Sequence, residues 1–250
     1  MEPNDYASEK APPTATPSEQ RHLPIVTIAV LVITAIITGL QFIYPVVLST
    51  LRRNPTALAA GEWWRMITPL FVHTDGWPQF IINSLGIALV GPTVERRFGH
   101  LRWLILYFAA GLIAEVISYA WDPYGAGASI ALCGLIGGLL IGLLWWNDPV
   151  PLPALFFVLY FIAGLIGYAA GGIIAAVILC VLIGVALPVL LRRNNQPWTL
   201  ARFVAAAGLL GALVLTTLYD NHGPPLIAGA CLAMLMLWQN PTPNSAAQGA

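Results

Sequence analysis

Charge is what this chain has least of: 9% of its 250 residues are Asp, Glu, Lys or Arg against 58% hydrophobic, and its mean hydropathy is +0.77. A soluble domain carries about a quarter charged residues, so this composition excludes one and points to a membrane protein. The 11 basic and 11 acidic residues cancel, and no basic patch is interleaved with aromatics, which leaves nothing to hold a nucleic acid. Cysteine is scarce as well. Cys133, Cys180 and Cys231 fall in apolar segments with neither a CxxC pair nor metal-ligand spacing, so they read as small buried hydrophobes, not as a disulfide framework or a zinc site. No metal and no organic cofactor is expected. The first apolar run, Leu23 to Tyr44, has no small-residue cleavage site after it and is expected to stay as a transmembrane helix.

What the chain does have is long apolar runs. Spans are expected near 23–44, 79–95, 101–120, 127–146, 152–167, 172–191, 199–218 and 224–239. The stretch 152–191 would be ~60 Å long as one helix, and is split at Gly167-Tyr168-Ala169-Ala170-Gly171-Gly172 because glycines favour a turn. The expected fold is an all-α membrane protein, a polytopic helical bundle of about eight transmembrane helices, or seven without that split. Residues 1–22, rich in Pro, Ser, Thr and charge, read as a disordered cytoplasmic tail, 23–240 as the transmembrane domain and 241–250 as a short disordered tail. A cytoplasmic N-terminus puts Lys10, Arg21, Arg96, Arg97, Arg102, Arg192, Arg193 and Arg202 inside and Arg52, Arg53 and Arg65 outside, as the positive-inside rule asks. The nine tryptophans fall near span ends or in the first loop and read as an aromatic belt. That loop, about 46–78, contains Glu62-Trp63-Trp64-Arg65-Met66-Ile67, an amphipathic element suited to the interface.

Few polar groups enter the apolar runs, so each one asks for a reason. Ser129 heads the fourth span and His222 heads the last, both on the outer side by parity of the helices between them. Gly134, Gly138 and Gly142 recur every four residues in the fourth span with Gly137 beside them, and Ala228, Gly229 and Ala230 form a small patch on the last. This glycine stripe is expected to let the two helices approach closely and bring their heads together. A serine hydroxyl becomes a nucleophile when a base within about 2.6–3.2 Å takes its proton, and His222 is the histidine placed to do so. Taken alone, Ser129 reads as a helix cap or a small packing residue, and His222 as an interfacial residue before Pro224 and Pro225. Asp220 reads as a hydrated loop residue outside the site. Glu115 reads as a protonated or hydrogen-bonded carboxyl near the outer interface, His73 as a hydrogen-bonding tie within the first loop, and Arg65 as pinning that loop to backbone carbonyls or headgroups.

Taken together, these residues resemble the rhomboid family of intramembrane serine proteases. Glu62-Trp63-Trp64-Arg65 is similar to its Trp-Arg loop, Phe71-Val72-His73 with Asn83 to its second-helix segment, and Val94-Glu95-Arg96-Arg97-Phe98-Gly99 to its glutamate-arginine turn. Gly127-Ala128-Ser129 resembles the first three positions of its Gly-x-Ser-Gly nucleophile motif, and His222, seven residues before Gly229, resembles its last-helix histidine. The resemblance implies a rhomboid-like core, Ser129 as nucleophile, His222 as general base, and Asn83 and Gln79 as donors to the oxyanion. Three departures stand out. Ile130 replaces the glycine after the nucleophile, Gln79 stands where the family has a histidine, and Ser129 and His222 lie 93 positions apart, which calls for two inserted helices. A rival alignment sets Tyr168 and Gly171 at the histidine and glycine positions and leaves no base.

The implied activity is an intramembrane serine endopeptidase in the plasma membrane, cutting transmembrane segments of protein substrates held in the lipid bilayer. The alternative is a catalytically inactive rhomboid-like protein that binds membrane clients. A small-solute transporter is disfavoured by the lack of an inverted repeat and of intramembrane charges.

Overall fold

The structure, a computed structural model, describes residues 23–193 and 197–239; the tails expected at 1–22 and 241–250 lie outside the described residues. Every regular element among the described residues is helical. Helix α1 (Ile25–Ile43) leads through two short helices, α2 (Pro45–Leu51) and α3 (Pro55–Ala59), into tight turns at Trp63–Met66 and Thr68–Phe71. Then come α4 (Gly76–Phe98), α5 (His100–Ser118, with a π turn at Ile105–Ala109) and α6 (Ala128–Trp145). Among the described residues, five stretches are long and apolar enough to cross a membrane, namely Ile25–Ile43, His100–Ser118, Ala128–Trp145, Leu152–Val189 and Thr199–Thr217, with Gly223–Gln239 a shorter apolar helix. The protein is therefore a polytopic helical membrane protein. α4 is outside that set because its 23 residues include Gln79, Asn83, Glu95, Arg96 and Arg97.

The long helical stretch Leu152–Arg193 breaks at Gly171 (φ −164°, ψ 24°) and Gly172 (φ 71°, ψ −162°) into two arms, α7 (152–170) and α8 (173–193). Gly172 sits in the left-handed region that only glycine enters cheaply. The arms fold back on each other. A Cβ on Gly167 would lie 2.5 Å from the Ala176 Cα, and the Cys180 thiol reaches the Tyr160 carbonyl at 3.7 Å, so the split expected at 167–172 is a helical hairpin. α9 (Pro197–Thr217) and α10 (Gly223–Gln239) complete the bundle.

α6 is its axle. Every residue from Ala128 to Leu143 is buried, which accounts for a helix apolar on all sides. Lipid tails are as apolar as leucine, so helices in a bilayer associate through close packing of small residues rather than hydrophobic transfer. The glycines do this differently from the expectation. A Cβ on Gly138 would meet the Leu106 side chain at 2.7 Å and one on Gly134 the Leu106 carbonyl at 2.2 Å, so the stripe faces the π turn of α5; Gly142 accommodates the Trp146 ring. Contact with α10 belongs to Gly137, whose Cβ would lie 2.2 Å from the Leu226 carbonyl, and to Gly229, 2.1 Å from the Gly134 carbonyl. The reason is angular: successive residues turn by ~100°, so Gly137 points well away from its neighbour Gly138 and meets α10 while Gly134 and Gly138, four apart, share the face toward α5.

The aromatic belt also needs correcting. Trp103 is fully buried, stacks on Tyr107 and donates Nε1–H to the Gly91 carbonyl at 3.1 Å, so it ties α5 to α4 instead of anchoring depth. Glu95, in the glutamate-arginine turn, reaches the start of α1: its carboxylate accepts from Val26 N (2.8 Å), Thr27 N (2.8 Å) and Thr27 Oγ1 (2.6 Å), with His100 Nδ1 at 2.7 Å. A carboxylate there satisfies helix-end amides that have no intrahelical acceptor and complements the helix dipole.

Candidate active site

Ser129 is the second residue of α6, and the chain before it is held at several points. Gly127 N–H donates to the Pro69 carbonyl at 2.9 Å, and the Ala126 carbonyl accepts from Thr74 Oγ1 (3.3 Å) and Gln79 Nε2 (3.4 Å). Arg65 pins the preceding loop, donating Nη1–H to the Ser49 and Arg52 carbonyls at 2.8 and 2.9 Å and Nε–H to Glu62 at 2.7 Å. The first loop is thus a bracket for the head of α6, while Trp63 and Trp64 stay exposed on its outside.

His222 immediately precedes α10, and its Nε2 lies 3.0 Å from Ser129 Oγ. Its Nδ1 lies 2.7 Å from Asp220 Oδ1, and its backbone N–H donates to the same oxygen at 2.9 Å. Phe161 packs edge-on against the imidazole at 6.4 Å between centroids. Asp220 is therefore not the free, hydrated residue expected: its side chain is 18% exposed and committed to His222. Burial raises its carboxyl, but the hydrogen bonds and charge of His222 outweigh that and hold it below the usual carboxylate range.

Both residues open onto a cavity of about 260 Å³ whose wall includes Gln79, Glu115, Ser118, Asp122 and Ile130. Arg53, 1% exposed, forms an ion pair with Glu115 and also donates to the Asp122 carbonyl. Asn221 donates to the Asp122 carboxylate and accepts from Trp121 Nε1 at 2.8 Å, which locks the loop before α6 to the loop before α10. Neither Trp121 nor Asn221 stood out in the sequence. Trp121 looked like a belt tryptophan and Asn221 like ordinary loop polarity, and the single signal was their nearness in sequence to Ser129 and His222.

Gly127 holds space for the site. A Cβ there would lie 2.6 Å from Gln79 Nε2 and 3.2 Å from Ser129 Oγ, so the bare Cα faces the gap between an amide donor and the hydroxyl. The Ser129 amide, in the first turn of α6, has no intrahelical acceptor. Asn83 is 2% exposed and its Nδ2 has no partner among the described residues, yet it does not line the cavity. Ile130, 7% exposed, does. Tyr168 belongs elsewhere: it is 63% exposed, at the edge of a separate apolar cavity of about 540 Å³ between α4 and the α7–α8 hairpin.

His73 is a tie to α1, not a second base. Its ring faces Thr38 Oγ1 at 3.1 Å, and its backbone exchanges hydrogen bonds with the Gln41 amide at 2.6 and 2.9 Å. Burial pushes its imidazole from the ordinary 6.5 down to about 4. The unfolded chain therefore takes up this proton first as pH falls. Stability present above pH 6.5 is lost between 6.5 and about 4, by up to ~3 kcal/mol. The melting temperature of the wild type in detergent should fall across that window, and that of His73→Gln should fall less; parallel curves would remove His73 as the cause.

The family described as Rhomboid domain matches residues 60–219, more than half of the 250, and stops just short of His222. The chain is 43% identical over 89 residues to the rhomboid protease GluP of Bacillus subtilis (strain 168), covering 35% of this chain and 17% of that one. It is 37% identical over 97 residues to rhomboid-like protease 2 of Toxoplasma gondii, covering 36% and 34%. It is also 35% identical over 81 residues to the chloroplastic RHOMBOID-like protein 9 of Arabidopsis thaliana, covering 31% and 18%. The chain thus matches well under half the length of these relatives. No solved structure matches.

Proposed function

Because the chain belongs to the rhomboid family, we propose that it is an intramembrane serine endopeptidase acting through Ser129 and His222. The observation that carries this reading is the 3.0 Å contact between Ser129 Oγ and His222 Nε2 at the wall of a polar cavity within an apolar bundle. Such a cavity lets water and an unwound peptide reach the hydroxyl, which a packed apolar core would prevent.

The chemistry follows from the positions. Ser129 Oγ attacks the scissile carbonyl carbon while its proton passes to His222 Nε2, and the carbonyl electrons move onto oxygen. Gln79 Nε2 and the Ser129 amide are the donors proposed for that oxyanion, joined by Asn83 if its free Nδ2 turns toward the cavity. The imidazolium then gives its proton to the leaving amine as the C–N bond breaks. Water then attacks the acyl-serine carbonyl as Nε2 takes its proton, and the C–Oγ bond breaks as that proton passes to Oγ, which releases the new carboxyl terminus and restores Ser129 and the neutral imidazole. The expected substrates are transmembrane segments of other proteins, opened locally because a peptide bond inside a regular helix is shielded. All eight long helices cross the bilayer in this reading, α7 and α8 as the inserted pair, within a transmembrane domain at 23–240. The N-terminus is cytoplasmic, the site faces outward and the protein sits in the plasma membrane.

The direct test is labelling by a fluorophosphonate in native membranes, with Ser129→Ala as the blank; an unlabelled wild type would overturn the reading. Ile130 favours the alternative of an inactive client-binding protein, because its branched side chain lines the cavity beside the nucleophile. Ile130→Gly separates the two. A protease adapted to the crowding should keep its rate within about tenfold and accept a wider set of substrates, since ~1.4 kcal/mol of barrier is tenfold in rate. Labelling of Ile130→Gly alone would mean that this one side chain silences the wild type.

A further inference from the structure

A serine–histidine pair needs its imidazole in one tautomer: the proton on Nδ1, the bare lone pair on Nε2. The two ring nitrogens are distinct, and which one carries the proton is set by the hydrogen bonds around the ring. Here the Nδ1 side is occupied. Asp220 Oδ1 stands 2.7 Å from Nδ1 and also accepts the His222 backbone N–H at 2.9 Å, so one carboxylate oxygen holds ring and backbone together.

The local backbone is built to put it there. α9 ends with Asp220 N–H donating to the Leu215 carbonyl (2.9 Å) and Tyr219 N–H to the Thr216 carbonyl (3.1 Å), the paired bonds of a Schellman helix end. The left-handed position of that motif normally falls to glycine, but here Tyr219 takes it at φ 56°. A bulky residue held there signals a conformation set by its surroundings. Gly223 closes the other side, since a Cβ on it would lie 2.4 Å from Thr216 N. Between these two points Asp220 and His222 have little freedom. The other charged groups around the cavity are committed elsewhere: Asp122 to Asn221 and Arg53 to Glu115. Asp75, the remaining carboxylate on the wall, starts α4 on the Gln79 side.

We propose that Asp220 is a positioning residue for the pair: it fixes the His222 proton on Nδ1, leaves Nε2 bare for the Ser129 proton, and stabilises the imidazolium formed during attack. The proposal rests on the protease reading, but its central observable does not.

The test joins that observable to kinetics. Imidazole 15N spectra of the full-length protein in detergent, at alkaline pH and with the His222 signals identified by their loss in His222→Gln, report which ring nitrogen carries the proton. In the wild type it should be Nδ1; a proton on Nε2 would overturn the proposal whatever the variants do. Asp220→Asn is nearly isosteric, but its amide can donate to Nδ1 and so favours the opposite tautomer. It should lower kcat by about 10²- to 10⁴-fold with KM changed less than about twofold, as expected when a wrong tautomer replaces the right one. Asp220→Glu should keep the wild-type tautomer and recover part of the rate. A purely structural Asp220 would instead lower the melting temperature while leaving tautomer and kcat near wild type, and that result would also sink the idea. Absence of any turnover in the wild type would count against the protease reading alone, since the spectra still report whether Asp220 sets the tautomer.

Discussion

Ser129→Ala and His222→Ala should each reduce cleavage of a transmembrane substrate by at least about a thousandfold, and the double variant should be little worse than either single one. The reason is that the two side chains perform a single act. Without Oγ there is no bond to form, and without Nε2 the hydroxyl keeps its proton and remains a poor nucleophile, so the second removal finds nothing left to lose. Residual activity would come from the oxyanion donors and substrate positioning, which persist in both variants. Both variants should insert and melt like the wild type, because the bundle around α6 is held by glycine contacts that neither change touches. Measurement requires initial rates on a labelled single-span substrate in proteoliposomes, with membrane levels checked in the same samples. Wild-type turnover in His222→Ala would mean that another base serves Ser129. A double variant a further thousandfold slower than both singles would mean that the two residues act independently.

How much of this was readable in the sequence depends on which residues carried it. Span length and polarity are local properties, so the apolar stretches and the break near Gly171 could be read from hydropathy and glycine alone. Parity put Ser129 and His222 at one end of the bundle, because helix count alone decides which ends coincide. Direction was not readable in the same way. The four-residue recurrence of Gly134, Gly138 and Gly142 identified a small face but not its neighbour, and that neighbour is α5. Asp220 shows the limit most plainly. Two residues from His222 in a polar loop, it carries no sequence mark of contact. It reaches Nδ1 because Tyr219 adopts a left-handed conformation unusual for its residue type. Trp103 and Trp121 were hidden by their resemblance to belt tryptophans, since a span-end position says nothing of whether the ring points to lipid or into the bundle.

Substitution of Gly229 or Gly137 by leucine should abolish activity and lower the melting temperature in detergent by more than Gly138→Leu. At Gly229 an added Cβ would lie 2.1 Å from the Gly134 carbonyl, and at Gly137 2.2 Å from the Leu226 carbonyl; both meet backbone, which cannot turn away. At Gly138 the nearest atom is the flexible end of Leu106 at 2.7 Å, which can change rotamer at a cost of about 1 kcal/mol. The first two changes therefore push α10 off α6, and because Ser129 heads one helix and His222 precedes the other, the displacement falls directly on the 3.0 Å contact. A shift of 1 Å in reacting groups costs on the order of a hundredfold in rate, so activity should fail even where the bundle survives. Gly138→Leu would mainly disturb α5 and should leave measurable turnover. If Gly138→Leu proved the more damaging, α6 and α10 would not depend on Gly137 and Gly229 for their approach, and the pairing of Ser129 with His222 would need another support.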